Sequence, residues 1–537
     1  MISWGGEAER VEGEVIASRL ASRQTSAPKR SNSHSIEHVR NLLIILVTGL
    51  IIVTLAWVGY VGTDDQSYAR GALGWLNRFP YLGDNHWALR HPVVIPLAVS
   101  LAIFGYREIS LGLPSAFFFL VFLGVNYYYL QRFFDSRFGL LASAFMATTP
   151  LFAVYATFPQ TVVVETLLLS ISFWLFYSAT RNQEPGWPMF ASGVAAGFGF
   201  LIRETAGLFV LFYAVLFLVG FGVRRRYYWI MSLGFLLIVG MEMSYLSALT
   251  GDPFYRYRID LGHEVSIWPQ WHEGTGDILT VSGNLQSGGT IFYPILSLLF
   301  NQEFGLVFWM FVPAAIWVCR AKPALEEQRL LRILIGFGIV WMIFISYGKL
   351  LAVVPRFYTV SLWTAIIVIA YWVRRYLCLY WPKVAIFVGS GLVAANLLCI
   401  YVENKKPAFA ERALVAYMVQ HDGLVVYTDP TTLRLAALLL DFEGVSDRVR
   451  SGPLPPGGLF YFNKKNIDYC RRYGCIYSWK DYLPKDGWNV LMRMEPSRKT
   501  SGALLAFLGL DKVIPTAIFE RLDRPNPGGV LYLTTSQ

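Results

Sequence analysis

The sequence predicts a polytopic α-helical membrane protein with about 11–13 transmembrane helices and a small C-terminal α/β domain. Of its 537 residues, 55% are hydrophobic and only 15% are charged, a composition that excludes an ordinary soluble enzyme. Apolar runs of roughly 17–25 residues, the length that spans a bilayer, follow one another between residues 41 and 402. After residue 402 the apolar runs become shorter, and polar segments separate them.

The transmembrane helices are predicted from the positions of the apolar runs. These runs are Asn41–Val61, Leu111–Leu130, Phe138–Tyr155, Gln160–Thr180, Trp187–Ile202, Thr205–Val223, Tyr227–Leu249, Phe304–Cys319, Leu331–Tyr347, Phe357–Val373 and Val384–Val402. Two further runs, Val93–Gly105 and Ile291–Phe300, are too short to cross the bilayer, and each contains a proline. We expect these two segments to be interfacial or re-entrant.

Basic residues predict which side of the membrane each loop faces. Residues 1–40 are polar and basic, which predicts a disordered cytoplasmic tail. The positive-inside rule then places the first loop 62–110, the large loop 250–303 and everything after residue 402 outside the cytoplasm. The net charge of +10 comes from short basic clusters between apolar runs. Topology explains these clusters, so nucleic acid is not an expected partner.

The C-terminal domain, residues 403–537, is predicted to be extracytoplasmic. Strand-like runs such as Gly423–Thr428 and Asn489–Met492 alternate with the helical run Thr431–Leu440, a pattern typical of a small α/β domain. Cys470 and Cys475 are close together in this domain. An oxidising compartment would allow a disulfide between them, and two unpaired thiols are the equally open alternative.

Charged residues collect on the predicted extracytoplasmic face, beginning with two adjacent acids, Asp64 and Asp65, directly after the first span. A carboxylate is costly near hydrocarbon, so a pair there is a functional-site hypothesis. The full set on this face is Asp64, Asp65, Arg90, His91, Glu165, Arg203, Glu204, Lys349 and Arg356. Arginine and lysine bind phosphate through charge-assisted hydrogen bonds, and a carboxylate takes the proton from an incoming hydroxyl. The set suits a reaction on an anionic, lipid-linked substrate.

Each residue of this set also has a purely structural interpretation. Thr63 and Gln66 have the spacing of a capping box, so the two aspartates can simply favour the start of a surface helix. His91 can be a helix-start residue. The others can form ion pairs that stabilise the bundle or can extend to the membrane interface: Glu165, Arg203, Glu204, Lys349 and Arg356. Their predicted position on one face is the argument for a shared function.

Five short motifs occur in an order that resembles a known enzyme family. They are Asp64-Asp65-Gln66-Ser67-Tyr68-Ala69, Arg90-His91-Pro92-Val93, Thr149-Pro150 ahead of Glu165, Gly197–Thr205, and Arg356-Phe357. Over roughly residues 40–375 the chain resembles the GT-C superfamily of glycosyltransferases, in the branch of the protein O-mannosyltransferases and the lipid A aminoarabinose transferase. The chain departs from the family pattern where Asp65 replaces a glutamate, His91 a lysine, Val93 a proline and Glu165 an aspartate.

The resemblance implies a GT-C-like transmembrane catalytic domain, residues 41–402, and a polyprenyl-phosphate-linked sugar as donor. The implied reaction moves a hexose or pentose to a hydroxyl of a glycan, lipid or protein acceptor, with inversion at the anomeric carbon. The implied catalytic residues are Asp64, Asp65 and Glu165. The implied donor phosphate-binding residues are Arg90, His91, Arg203, Lys349 and Arg356. The sequence requires no cofactor, and a divalent metal ion held by Asp64 and Glu165 is compatible with it.

The family likeness and the compact loops favour a prokaryotic plasma membrane and a role in cell-envelope glycosylation. One other class stays open: a membrane carrier or flippase for a lipid-linked or anionic substrate, because charges in a helix bundle also line transport paths. The depth of the charges separates the two classes. Charges gathered at one face favour an enzyme, and a chain of charges at the bilayer midplane favours transport.

Overall fold

The computed structural model describes residues 32–261, 293–320, 326–347, 354–403, 408–473, 475, 477–494 and 528–534. The chain forms two compact units, Met1–Ile44 and Ile45–Gln537. The described part of the first unit is the beginning of the first helix.

The membrane region is a bundle of helices. In chain order they are α1 (Asn32–Leu55), α2 (Asp64–Asn77), α3 (His91–Phe104), α4 (Glu108–Phe133), α5 (Ser136–Thr148), α6 (Pro150–Tyr155), α7 (Thr161–Ala179), α8 (Gly186–Ile202), α9 (Gly207–Val219), α10 (Arg225–Thr250), α11 (Tyr293–Phe300), α12 (Val307–Arg320), α13 (Glu326–Tyr347), α14 (Thr359–Trp372) and α15 (Pro382–Glu403). A π-helical turn, Val373–Leu377, and a short helical turn, Cys378–Tyr380, extend α14.

Within the described ranges, seven segments are long and apolar enough to cross a membrane. They are Ile36–Leu55, Glu108–Phe133, Thr161–Ala179, Arg225–Thr250, Glu326–Tyr347, Thr359–Tyr380 and Pro382–Tyr401. Four shorter apolar helices accompany them: His91–Phe104, Gly186–Ile202, Glu204–Val219 and Val307–Arg320. The predicted class, a polytopic helical membrane protein, is therefore confirmed.

One predicted span, Phe138–Tyr155, is two helices. α5 ends at Thr148 and α6 begins at Pro150, with Thr149 between them in an extended conformation (φ −69°, ψ 122°). A residue before proline avoids the helical region because the pyrrolidine ring clashes with it. The break places the short helix α6 just ahead of α7.

α3 corresponds to the short run that was predicted to be interfacial or re-entrant. Its 14 residues give a length of about 21 Å, less than the ~30 Å hydrocarbon core. The helix begins with Pro92 in its first turn, as a helix start favours, and one of its faces exposes Ile95, Val99 and Ile103. This geometry suits a helix at a membrane boundary.

The C-terminal region forms a five-stranded sheet with helices. Its strands are β1 (Val426–Thr428), β2 (Val449–Arg450), β3 (Leu459–Asn463), β4 (Asn489–Met494) and β5 (Gly529–Leu533), in the order β2-β1-β3-β5-β4. The pairs β1–β2 and β1–β3 are parallel, and β5 is antiparallel to β3 and β4. The helices are α16 (Phe409–Gln420), α17 (Pro430–Phe442) and α18 (Lys464–Tyr473). A disulfide joins Cys470 and Cys475.

One apolar core is shared between this α/β region and the start of the membrane region. Its buried members include Tyr68 of α2 and Leu97 of α3, together with Leu414 of α16, Leu439 of α17 and Tyr461 of β3. A domain tethered only by a linker would have a separate core. The α/β region is therefore packed onto one end of the bundle, which we call the Asp64 end.

The opposite end of the bundle carries its own ion pairs. Arg375 lies 3.1 Å from the carboxylate of Glu327 and 3.4 Å from that of Asp135, and Arg181 pairs with Glu326. Between the two ends the interior is aromatic, and the amide oxygen of Asn126 accepts hydrogen bonds from the indoles of two buried tryptophans. The described interior of the bundle thus separates two charged ends.

Candidate active site

Asp64 is the first residue of α2, at the end of a tight loop. Gly59 and Gly62 in this loop have positive φ angles of 71° and 79°, a conformation that favours glycine. Thr63 precedes the helix, but its side chain makes no capping hydrogen bond. The predicted helix start is present, whereas the capping box is not formed.

Asp65 points back into this loop. Its Oδ2 accepts hydrogen bonds from the backbone N–H groups of Val61 (2.7 Å) and Gly62 (3.2 Å), and its Oδ1 accepts one from the N–H of Thr63 (2.6 Å). The side chain is fully buried. Asp65 therefore holds the loop together, and its neighbour Asp64 faces the site.

The carboxylate of Asp64 pairs with an arginine that lies 292 positions away in the sequence. Its Oδ2 is 2.5 Å from Nη1 of Arg356 and 3.3 Å from the amide nitrogen of Gln160. Burial acts to raise the pKa of Asp64, but the guanidinium groups of Arg356 and Arg90 outweigh it and hold the pKa below its ordinary value. Asp64 is therefore an ionised carboxylate at neutral pH.

A second arginine–carboxylate pair lies directly behind the first. Nη1 of Arg203 donates to Oε2 of Glu165 (2.8 Å) and to the backbone carbonyl of Arg356 (3.0 Å). The hydroxyl of Thr205 donates to Oε1 of Glu165 (2.9 Å), and Arg203 also donates to the hydroxyl of Thr161. Both oxygens of Glu165 are thus occupied, and the pair is buried.

A third group of charges extends from Arg90. Nη1 of Arg90 donates to the hydroxyl of Tyr68 (2.7 Å), and Nη2 lies 4.0 Å from Glu204. Glu204 in turn pairs with Arg256 (2.5 Å), which also pairs with Glu242 (3.0 Å). Alternating charges of this kind compensate one another inside a low-dielectric environment.

The sequence-predicted residues are placed as follows. Asp64, Arg90, Glu165, Arg203, Glu204 and Arg356 belong to one connected region at the Asp64 end. His91 also lies there, with Nδ1 3.3 Å from Oε1 of Glu242. Lys349 lies outside the described residues.

The two carboxylates predicted to hold a metal do not fit a shared ion in this arrangement. Both carboxylate oxygens of Glu165 accept hydrogen bonds, one from Arg203 and one from Thr205, and Asp64 is paired with Arg356. Across the described ranges, no group of three or more His, Cys, Asp or Glu side chains could hold a metal ion.

The region also contains residues that were absent from the sequence-based set, among them Tyr68, Gln160, Glu242 and Arg256. Glu242 is an acid inside the apolar run Tyr227–Leu249, and such a residue is itself a signal of function or pairing. Tyr68 belongs to the first of the five motifs, but no role was assigned to it. Gln160 gave no signal, because uncharged polar residues near the end of a span are common.

Two arginines of this region have spare hydrogen-bond donors. Among the described residues, the buried Nε–H groups of Arg356 and Arg90 have no hydrogen-bond partner. A buried donor without a partner is costly and calls for an explanation. An anion bound at either arginine would supply an acceptor for its Nε–H group.

Comparison with known proteins gives a family match over part of the chain. A family model described as dolichyl-phosphate-mannose-protein mannosyltransferase matches residues 90–245, a segment that includes Arg90, Glu165 and Arg203 but begins after Asp64. No curated protein matches the sequence.

Solved structures match over most of the chain. ArnT from Cupriavidus metallidurans in the apo state has a TM-score of 0.51 at 13% identity, covering 84% of this chain and 96% of that one. The same protein bound to undecaprenyl phosphate gives 0.50 at 14% identity, with coverages of 81% and 96%. The Archaeoglobus fulgidus oligosaccharyltransferase AglB, in complex with an inhibitory peptide and a dolichol-phosphate, gives 0.51 at 12% identity, with coverages of 78% and 64%.

The chain shares the fold of these solved structures. Together with the family match, these structures confirm the resemblance to the GT-C branch that contains the protein O-mannosyltransferases. At identities of 12–14%, the structural similarity shows the fold alone.

Proposed function

We propose that this protein is a membrane glycosyltransferase that uses a polyprenyl-phosphate-linked sugar and acts at the extracytoplasmic face of a plasma membrane. The observation that carries the proposal is the Asp64–Arg356 pair within a GT-C fold. A carboxylate held ionised and an arginine with a spare buried donor lie 2.5 Å apart. The reaction needs these two groups side by side: a base for the acceptor and a cation for the donor phosphate.

Arg356 and Arg90 are the residues best suited to hold the donor phosphate. Each has a buried Nε–H with no partner among the described residues, and both contribute to the electrostatic environment of Asp64. Arg203 is a weaker candidate, because Glu165, Thr161 and the carbonyl of Arg356 already accept its hydrogen bonds. Arg203 instead fixes the backbone of Arg356.

Asp64 then acts as the general base. The acceptor hydroxyl gives its proton to the carboxylate, and its oxygen forms a bond to the anomeric carbon of the donor sugar. The bond between the anomeric carbon and the phosphate oxygen breaks, and the polyprenyl phosphate leaves with the electron pair. The guanidinium groups stabilise the charge that develops on this phosphate, and attack from the opposite side inverts the anomeric centre.

The depth of the charges supports an enzyme more than a carrier. The residues that surround Asp64 lie at or near helix ends at the Asp64 end of the bundle: Arg90, Glu165, Arg203 and Arg356. The described interior below them is aromatic, with Trp174 and Trp363 sharing Asn126. A transport path for an anionic substrate would need charged groups through that layer, whereas its buried polar residues, such as Asn126 and Ser172, are uncharged.

Transfer of radiolabelled sugar from polyprenyl-phosphate donors tests the proposal. We expect Asp64→Asn to insert and fold normally and to lose activity by about 10²–10⁴-fold, the usual contribution of a general base. Asp252→Asn is the matched control, because Asp252 forms a surface pair with Arg258 outside this site. Wild-type activity in Asp64→Asn, or no donor consumption by folded wild-type protein across a panel of donor sugars, would reject the proposal.

A further inference from the structure

The loop that presents Asp64 is held by residues far away in the sequence. Tyr60, four positions before Asp64, has all three of its polar groups engaged. Its N–H donates to Oε1 of Glu108 (2.8 Å), its carbonyl accepts from Nη2 of Arg412 (3.0 Å), and its hydroxyl donates to the carbonyl of Leu435 (2.8 Å). Two of these three partners belong to the C-terminal α/β region.

The other side of Asp64 is held by the same region. The side-chain amide of Gln66 donates to the backbone carbonyl of Arg434, the residue beside Leu435 in α17. Tyr60 and Gln66 are both buried. Two adjacent backbone carbonyls of α17, those of Arg434 and Leu435, therefore accept hydrogen bonds from residues on both sides of Asp64.

The helices α16 and α17, which supply these contacts, are themselves held by hydrogen bonds. Arg412, at the start of α16, forms a two-point pair with Glu108 at the start of α4. The N-terminus of α17 is capped by Asp429, which accepts from the N–H of Thr432 (2.9 Å) and from the hydroxyl of Tyr477 (2.9 Å). Buried hydrogen bonds that are all satisfied make a region rigid.

We propose that the C-terminal α/β domain positions the catalytic loop. It fixes the position of the Asp64 carboxylate through Tyr60, Gln66 and Arg412. The inference rests on the proposed role of Asp64 as the base. Its physical basis is that a displacement of about 1 Å at a reacting group can cost roughly 10²-fold in rate. A hydrogen bond that fixes the loop then contributes to kcat, although it touches neither substrate.

Tyr60→Phe tests the inference, because it removes one hydroxyl and keeps the ring. Tyr461→Phe is the matched control: Tyr461 is equally buried, and its hydroxyl donates to the carbonyl of Ala410 inside the C-terminal domain. We expect Tyr60→Phe to lower kcat about tenfold at unchanged donor KM, and Tyr461→Phe to leave kcat within about twofold of wild type. Gln66→Leu should behave like Tyr60→Phe.

A second readout separates this inference from the proposed function. Hydrogen exchange of the peptide that covers residues 59–66 should become faster in Tyr60→Phe and Gln66→Leu, and should be unchanged in Tyr461→Phe. Wild-type kcat and exchange in both loop variants would overturn the inference, as would an equal loss of kcat in Tyr461→Phe. Full activity of Asp64→Asn, together with faster exchange in the loop variants, would reject the role of Asp64 as base. It would leave the inference that the C-terminal domain holds the loop intact.

Discussion

Two arginine–carboxylate pairs lie back to back at the Asp64 end, and their surroundings differ. In the outer pair, the side chains of Arg356 and Asp64 are 29% and 19% exposed. In the inner pair, those of Arg203 and Glu165 are 5% and 1% exposed. The two pairs touch through one hydrogen bond, from Arg203 to the carbonyl of Arg356.

The difference in exposure indicates that the two pairs have different roles. A buried pair with every oxygen occupied is expensive to open, because breaking it leaves an uncompensated charge. A partly exposed pair is easier to open, because water can solvate the separated charges. The inner pair therefore suits a scaffold, and the outer pair suits chemistry in which Arg356 passes from Asp64 to a phosphate.

Removal of the inner carboxylate should have the largest effect on stability. Glu165→Gln leaves Arg203 charged and buried, so we expect a loss of about 3–5 kcal/mol, measured as a lower melting temperature in detergent. Glu326→Gln, in the exposed pair with Arg181, is the control and should change little. A Glu165→Gln protein that is stable but inactive would show that Glu165 is a catalytic residue, as the family resemblance implies, and not a structural one.

Removal of the outer arginine should change the pH profile. Burial acts to raise the pKa of Asp64, and Arg356 is the strongest group that lowers it. In the wild type, Asp64 stays ionised as the pH falls below its ordinary pKa, so activity should persist there. In Arg356→Gln the acid limb of kcat/KM, which reports the free enzyme, should move to higher pH, and the donor KM should rise.

The pH profile of kcat/KM and the donor KM, measured for the wild type and for Arg356→Gln, check this prediction. Arg375→Gln at the opposite end of the bundle provides the control, since its partners are Glu327 and Asp135. An acid limb that does not move would show that Arg356 does not set the protonation of Asp64.

The secondary partners of the two carboxylates should have the smallest effects. Gln160 lies 3.3 Å from Asp64, and Thr205 lies 2.9 Å from Glu165. Thr205→Val should cost about 1 kcal/mol of stability with little change in mechanism, whereas Gln160→Leu should lower activity a few-fold with little change in stability. Reversal of this pattern in melting and transfer assays would contradict the division between the two pairs.

The sequence predicted the bundle well because its signal is local. An apolar run such as Thr161–Ala179 is long enough to identify a span without any knowledge of its neighbours. The motif order also pointed to the Asp64 end, and Glu165 and Arg203 both lie there. The two-helix break at Thr149 was visible in principle, since Pro150 follows it.

The finer geometry depends on contacts between distant positions and could not be predicted. Asp64 and Asp65 are neighbours with the same side chain, yet one faces Arg356 and the other binds its own loop. The start of α2 sets these directions, and the tether of Tyr60 to Leu435 fixes the loop. No pattern in a single sequence links positions 60 and 435.

The apolar core shared by the two ends of the chain has a consequence for biosynthesis. Leu97 and Tyr68 are made early, while Leu439, Tyr461 and Leu531, which cover the same core, are made later. Until the strands that carry Tyr461 and Leu531 have been made and have folded, the newly inserted bundle keeps an uncovered apolar patch beside the loop of Asp64. A chain that stops before these strands would leave this core incomplete, and we expect it to be unable to hold Asp64 in place.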